Sequence, residues 1–282
     1  MHDAATRTHD PTATSIPWRG FLIGAVAGLL SGLFGIGGGI VIVPALLTAL
    51  SMERRLAHGT SLAATVPVAL ASLATYSLGG NVDWPVALCL VIGAICGTII
   101  GTQLLQVIPK RPLTIIFIGV ILLTAVRLVM STDALGREEL TVAGVLALVA
   151  IGLVTGTLSG LLGIGGGVVM VPAMVVLFSM PPVLAKGTSV AVIVPSAIVG
   201  TLRNRAHDNV DLRVGGAIGV AGVLSAIVGS LIASSMSASL SNGLFALLLV
   251  VVALIQARTL RTPPPSPASS PAPAPAPTSP VD

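Results

Sequence analysis

The sequence predicts an all-α, polytopic integral membrane protein of about eight hydrophobic helical segments. They are expected to form two homologous, inverted repeats, each starting with a broken glycine-rich hairpin. Three observations carry this prediction. Hydrophobic residues make up 54% of the 282-residue chain and charged residues only 9%, against roughly a quarter charged in a soluble domain. The apolar residues fall in long unbroken blocks without alternating polarity, which favours helices over a barrel. One stretch of sequence also occurs twice.

The apolar blocks lie near 21–50, 61–79, 85–108, 112–130, 140–179, 187–202, 214–235 and 240–257. A hydrocarbon core is crossed by about 20 helical residues, so the first and fifth blocks are too long for one span. Residues 1–19 are a polar segment without the apolar stretch of a signal peptide. Residues 20–131 are read as transmembrane repeat 1, 132–139 as a connecting loop and 140–261 as transmembrane repeat 2. The Pro/Ala-rich tail, 262–282, has a composition that cannot bury a core and is predicted to be disordered. The net charge is +4, but Lys and Arg sit between apolar blocks, where they orient helices; no nucleic-acid partner is predicted.

Residues 28–47 read GLLSGLFGIGGGIVIVPALL and 156–175 read GTLSGLLGIGGGVVMVPAMV, an offset of 128. The offset continues without a gap. Gly59-Thr60-Ser61 falls on Gly187-Thr188-Ser189, Pro67 on Pro195, and Asn81-Val82-Asp83 on Asn209-Val210-Asp211. One register kept over that distance marks a duplication. Block 21–50 is then either one overlong helix or a hairpin, and charge placement separates the two. The hairpin puts eleven Lys and Arg on one side and three on the other, the single helix nine and five; the stronger bias favours the hairpin, with both termini cytoplasmic. Three full crossings per half then insert the second half upside down. Many secondary transporters have this architecture, with the substrate site near midplane where the repeats meet.

The candidate site starts from Gly35, Gly37, Gly38 and Gly39, and from their twins Gly163, Gly165, Gly166 and Gly167. Adjacent glycines weaken a membrane helix and permit positive φ. Pro44 and Pro172 follow, placed in the first turn of a second arm that starts around residues 40–43 or 168–171. Such a tip offers free backbone N–H groups and a positive helix end, which suit an oxyanion. Close helix packing is the competing explanation. It suffices for Gly93, Gly97 and Gly101 at fourth-residue spacing, but packing does not call for three adjacent glycines followed by proline. No Lys-Ser/Thr follows either tip, so neither is a nucleotide loop.

Thr60, Ser61, Thr188 and Ser189 are expected to open the next helices as caps, and to touch the ligand if they lie near the tips. Lys186, aligned with His58, is a lone cation on the side away from most basic residues. It is either a snorkelling lysine at a helix end or an attractor for an anion. Asn81, Asp83, Asn209 and Asp211 read as turn and capping residues. Cys89 and Cys96 lie about 10 Å apart along one helix and read as small packing residues.

Absences complete the reading. None of the ten acidic residues falls within an apolar block, whereas proton and cation pathways usually hold a carboxylate at depth. No His/Cys cluster suggests a metal, and no Ser/His/Asp set suggests hydrolysis. No catalytic residue, metal or cofactor is therefore predicted, and an enzyme is disfavoured. Neutral donors suit an anionic substrate.

The doubled G-[LI]-[FL]-G-I-G-G-G-x-[VIM]-x-V-P, each copy followed by G-T-S, resembles the sulfite exporter TauE/SafE family of membrane permeases over about residues 20–258. The resemblance implies a plasma-membrane permease for sulfite, a sulfonate or a related small anion, with the motif glycines and prolines as its permeation core. An anion channel or a non-transporting membrane interaction protein is the alternative.

Overall fold

The computed structural model describes residues 18–104, 141–163 and 165–261, with isolated positions at 118, 119, 122 and 126. The described elements are α1 (Trp18–Phe34), α2 (Gly39–Ala49), α3 (Arg54–Leu78), α4 (Trp84–Leu104), α5 (Val142–Leu162), α6 (Gly167–Leu177), α7 (Pro182–Arg205), α8 (Leu212–Ser235) and α9 (Ala238–Arg261). No strand occurs among the described residues. Six helices, α3, α4, α5, α7, α8 and α9, are long and apolar enough to cross a membrane; α1, α2 and α6 are shorter and equally apolar. Large apolar side chains also cover the outside: Leu88 and Ile92 on α4, Val220 and Leu224 on α8, and Leu247 on α9 are all exposed. A patch of that extent suits lipid and not water, and the chain is a multi-pass membrane protein. Apart from those four isolated positions, the predicted block 112–130 lies outside the described residues, as does the tail.

The overlong blocks break at the glycines. α1 ends where Gly35 turns left-handed at φ 69°, its N–H bonded to the Ser31 carbonyl at 2.7 Å. α5 ends in the same way at Gly163, φ 65°, bonded to Ser159 at 2.8 Å. The chain then doubles back. A methyl carbon on Gly38 would lie 3.0 Å from the carbonyl of Ala27, two turns below the end of α1. Ala27 packs in one cluster with Ile42 and Leu46 of α2, and Ile23 lies against the same cluster. α2 thus descends beside α1 to the end from which α1 came. Each second arm closes alike, with Ser51 and Ser179, again 128 apart, at φ 49° and 48°.

The halves run in opposite directions. Gly59, near the start of α3, lies against Asn204 at the end of α7, and Gly187, near the start of α7, lies against Tyr76 near the end of α3. α1 and α8 run parallel, with Gly24, Gly28 and Gly32 against the carbonyls of Ile218, Gly222 and Ala226 at 2.1–2.3 Å from a would-be methyl. α5 and α4 repeat the arrangement: Gly152, Gly156 and Gly160 meet the carbonyls of Leu90, Ala94 and Thr98. Gly93, Gly97 and Gly101 answer from α4 against Val149, Leu153 and Thr157. Within lipid, where burial of apolar surface drives nothing, backbone contact of this kind holds helices together.

These contacts also sort the charges. The starts of α1, α3 and α8 and the end of α7 share one end of the bundle, and Arg19, Arg54, Arg55, Arg203, Arg205 and Arg213 gather there. Lys186 lies toward the other end. α4 finishes at the basic end and α5 begins at the opposite one, because α5 delivers Leu162 to His58 near the start of α3.

Candidate functional site

Six left-handed glycines shape the two tips. Gly35, Gly37 and Gly38 have φ of 69°, 79° and 76°, and Gly163, Gly165 and Gly166 have 65°, 89° and 76°. An L-residue adopts this region at a cost of roughly 1–2 kcal/mol each. Gly39 and Gly167 are helical, and at Gly167 close packing requires the glycine. A methyl on Gly167 would lie 2.3 Å from the carbonyl of Gly35 and 2.7 Å from Cα of Ile36. The tips therefore touch, with Gly37 against Thr65 and Ile193, themselves 128 apart. Gly38 and Gly166 immediately precede α2 and α6 and offer no side-chain cap. Among the described residues no acceptor meets the amides of Ile36 to Ile40 or of Gly165 to Val168. Unbonded amides at the starts of α2 and α6 carry the positive partial charge of a helix N-terminus.

The Gly-Thr-Ser triplets hold each tip from the opposite half. Ser61 Oγ donates to the carbonyl of Gly163 at 3.0 Å, and Ser189 Oγ donates to the carbonyl of Gly35. Thr60 Oγ1 accepts from the Asp211 amide at 2.9 Å, and Thr188 Oγ1 accepts from the Asp83 amide at 2.9 Å. Asp83 and Asp211 in turn cap α4 and α8 through Oδ1, bonded to Val86 at 3.2 Å and to Arg213 and Val214 at 2.9 and 3.0 Å. The leading glycine makes room: a methyl on Gly59 would lie 2.0 Å from the Asn209 carbonyl, and one on Gly187 2.0 Å from the Asn81 carbonyl.

Three expectations are corrected here. The triplets do not open their helices. α3 starts at Arg54 and α7 at Pro182, so Thr60 and Thr188 lie about two turns in and cap elements of the other half. The second arms start at Gly39 and Gly167, one residue earlier than expected, so Pro44 and Pro172 fall in the second turn, away from the tips. Pro44 is exposed and Pro172 buried. Nor does Lys186 snorkel. It is only 1% exposed, its Nζ donating to Ser241 Oγ at 2.7 Å and lying 5.5 Å from the centre of the Phe34 ring.

Phe34 in turn stacks on Phe245 at 5.5 Å. A lysine so enclosed keeps its charge only with compensation, and no carboxylate supplies it among the described residues. His58, the aligned residue, behaves differently, donating from Nδ1 to the Leu162 carbonyl at 2.7 Å. Cys89 is half-buried and Cys96 exposed; both stand on α4, outside the tips. The triads Gly24/Gly28/Gly32 and Gly152/Gly156/Gly160 carry the same four-residue spacing as Gly93/Gly97/Gly101 and were legible by that signal, although no role was assigned to them.

Comparison with known proteins identifies the family. The family described as sulfite exporter TauE/SafE matches residues 3–128 and 148–281. The chain is 30% identical over 214 residues to a probable membrane transporter protein of Bacillus subtilis, YunE, covering 67% of this chain and 78% of the relative. A probable membrane transporter protein of Xylella fastidiosa is 30% identical over 206 residues, covering 71% and 78%. One of Haemophilus influenzae is 34% identical over 167 residues, covering 54% and 60%. No solved structure matches. This chain, with its paired glycine tips, belongs to the sulfite exporter TauE/SafE family and is a membrane transporter of that type, acting on a small-molecule substrate.

Proposed function

We propose that the protein is a plasma-membrane permease for a small anion, sulfite, a sulfonate or a related organosulfur anion. It works by alternating access between two inverted repeats, residues 20–131 and 140–261, with both termini cytoplasmic, and it is not an enzyme. The single observation that carries the reading is the pair of opposed tips, each with amides that meet no acceptor among the described residues. Donors without a nearby carboxylate favour an anion and repel nothing but a cation.

The contact between Gly167 and Gly35 favours a carrier over a channel. The tips must part for an anion to pass, and opposed rocking of the two halves separates them. The basic end, with Arg19, Arg54, Arg55, Arg203, Arg205 and Arg213, is the cytoplasmic one on the positive-inside principle.

The test is flux in proteoliposomes across sulfite, methanesulfonate, sulfate and acetate, with a monovalent cation as control. Saturable anion flux, with one anion inhibiting another, is the expected result. Flux that rises linearly with concentration would favour a channel, and cation flux without anion flux would overturn the reading.

A further inference from the structure

We infer that Ser31 and Ser159 are substrate-contacting donors, each completing one oxyanion seat with the amides that start the second arm of its own half. This inference rests on the anion reading above and adds residues to it.

Both serines are fully buried, at 0% and 1% exposure. Their hydroxyls are without a partner among the described residues. That is unusual for a helical hydroxyl, which has the carbonyl four residues back within easy reach. Thr65, Thr98, Ser196 and Ser230 all take that bond, at 2.8–2.9 Å. Ser31 and Ser159 do not, although their fourth-preceding residues are Ala27 and Thr155. A buried hydroxyl left unbonded costs about 1–3 kcal/mol.

The two positions are 128 apart and stand in the same place in each half. Both lie one turn before a tip, with their own carbonyls bonded to Gly35 and Gly163. The Ala27 carbonyl is 3.0 Å from a would-be methyl on Gly38, and the Thr155 carbonyl 3.1 Å from one on Gly166. Ser159 Cβ is 3.5 Å from that same point on Gly166. Ser159 thus sits beside the left-handed glycine from which α6 departs, whose following amides meet no acceptor among the described residues. Ser72 and Thr201 are also without partners, but their counterparts are Gly200 and Leu73, so chance burial explains them and does not explain a matched pair.

A hydroxyl beside two or three convergent amides donates to the oxygens of one small oxyanion, and a pair of such seats of opposite orientation offers one seat to each face. The ligand class is a compact anion with at least two terminal oxygens: sulfite, a short sulfonate or a carboxylate. A halide, which lacks separate oxygens, gains less from the arrangement.

The experiment uses full-length protein with Cys89→Ala and Cys96→Ala, carrying Ser31→Cys or Ser159→Cys. Each is treated in proteoliposomes with a sulfonate-bearing thiosulfonate reagent or with its trimethylammonium counterpart. The sulfonate reagent is expected to react at least about tenfold faster, as a site of positive potential steers anions, and methanesulfonate should protect. In parallel, Ser31→Ala and Ser159→Ala should each raise KM for sulfite by roughly tenfold, the loss of one hydrogen bond to a charged group. No labelling, equal labelling by both reagents, or an unchanged KM in both alanine variants would overturn the inference. Wild-type protein that moves no anion, yet shows charge-selective and protectable labelling, would sink the permease reading and leave the seats standing.

Discussion

Replacing Gly187 with alanine is expected to lower the unfolding temperature of the detergent-solubilised protein by roughly 6–12 °C, and Gly59→Ala by a similar amount. A methyl at either position meets a backbone carbonyl at 2.0 Å, on Asn81 or Asn209. A carbonyl cannot swing aside as a side chain can. The loop bearing it is fixed by the Thr188–Asp83 or Thr60–Asp211 bond, both 2.9 Å. Overpacking of about 3 kcal/mol follows, near the top of the usual range because no flexible atom takes up the strain. The control is Gly216→Ala on α8, where a methyl meets nothing within 4 Å. That change removes a poor helix former and should leave the unfolding temperature unchanged or raised. A Gly187→Ala protein as stable as wild type would show that the two halves are not locked through these loops.

The second large effect is on transport. Gly38→Ala and Gly166→Ala should each cut sulfite flux by roughly tenfold or more while the protein still purifies as a single species. Both residues sit at φ 76°, and an added methyl would press at 3.0 and 3.1 Å on the carbonyls of Ala27 and Thr155. The strain falls on the turn that aims the first amides of α2 and α6, so it displaces donors before it disturbs the bundle. Gly80→Ala separates strain from site. Gly80 is also left-handed, at φ 67°, with nothing within 4 Å of the added methyl. It carries the same backbone cost outside the tips, with no neighbour for the added methyl to press on, and should transport normally. Equal loss in all three variants would mean that the defect is general strain.

The helical class, the broken blocks and the matched positions were legible because each has a local signature: apolar length, adjacent glycines, a constant offset. The close packing of Gly93, Gly97 and Gly101 was legible for the same reason, since a four-residue spacing places small residues on one face. The partners of the triplets were not. Thr60 finds its donor 151 residues away, at Asp211, and no local pattern tells a hydroxyl that caps its own helix from one that caps another. Nor does the sequence show what encloses Lys186. A lysine near a helix start suggests snorkelling, but Phe34 and Ser241, which enclose it, come from two distant helices. Ser31 and Ser159 carry no local signal that sets them apart from other serines. Only the fold exposes them, by leaving their hydroxyls without partners.

The most direct measurement is the position of a bound heavy anion. Selenite, the selenium analogue of sulfite, can be located by its anomalous scattering in crystals of the full-length protein. The account predicts a peak within hydrogen-bonding reach of the amides that begin α2 or α6, beside Ser31 or Ser159. Selenite found only among the arginines of the basic end, with the tips in contact and empty at saturating concentration, would contradict it.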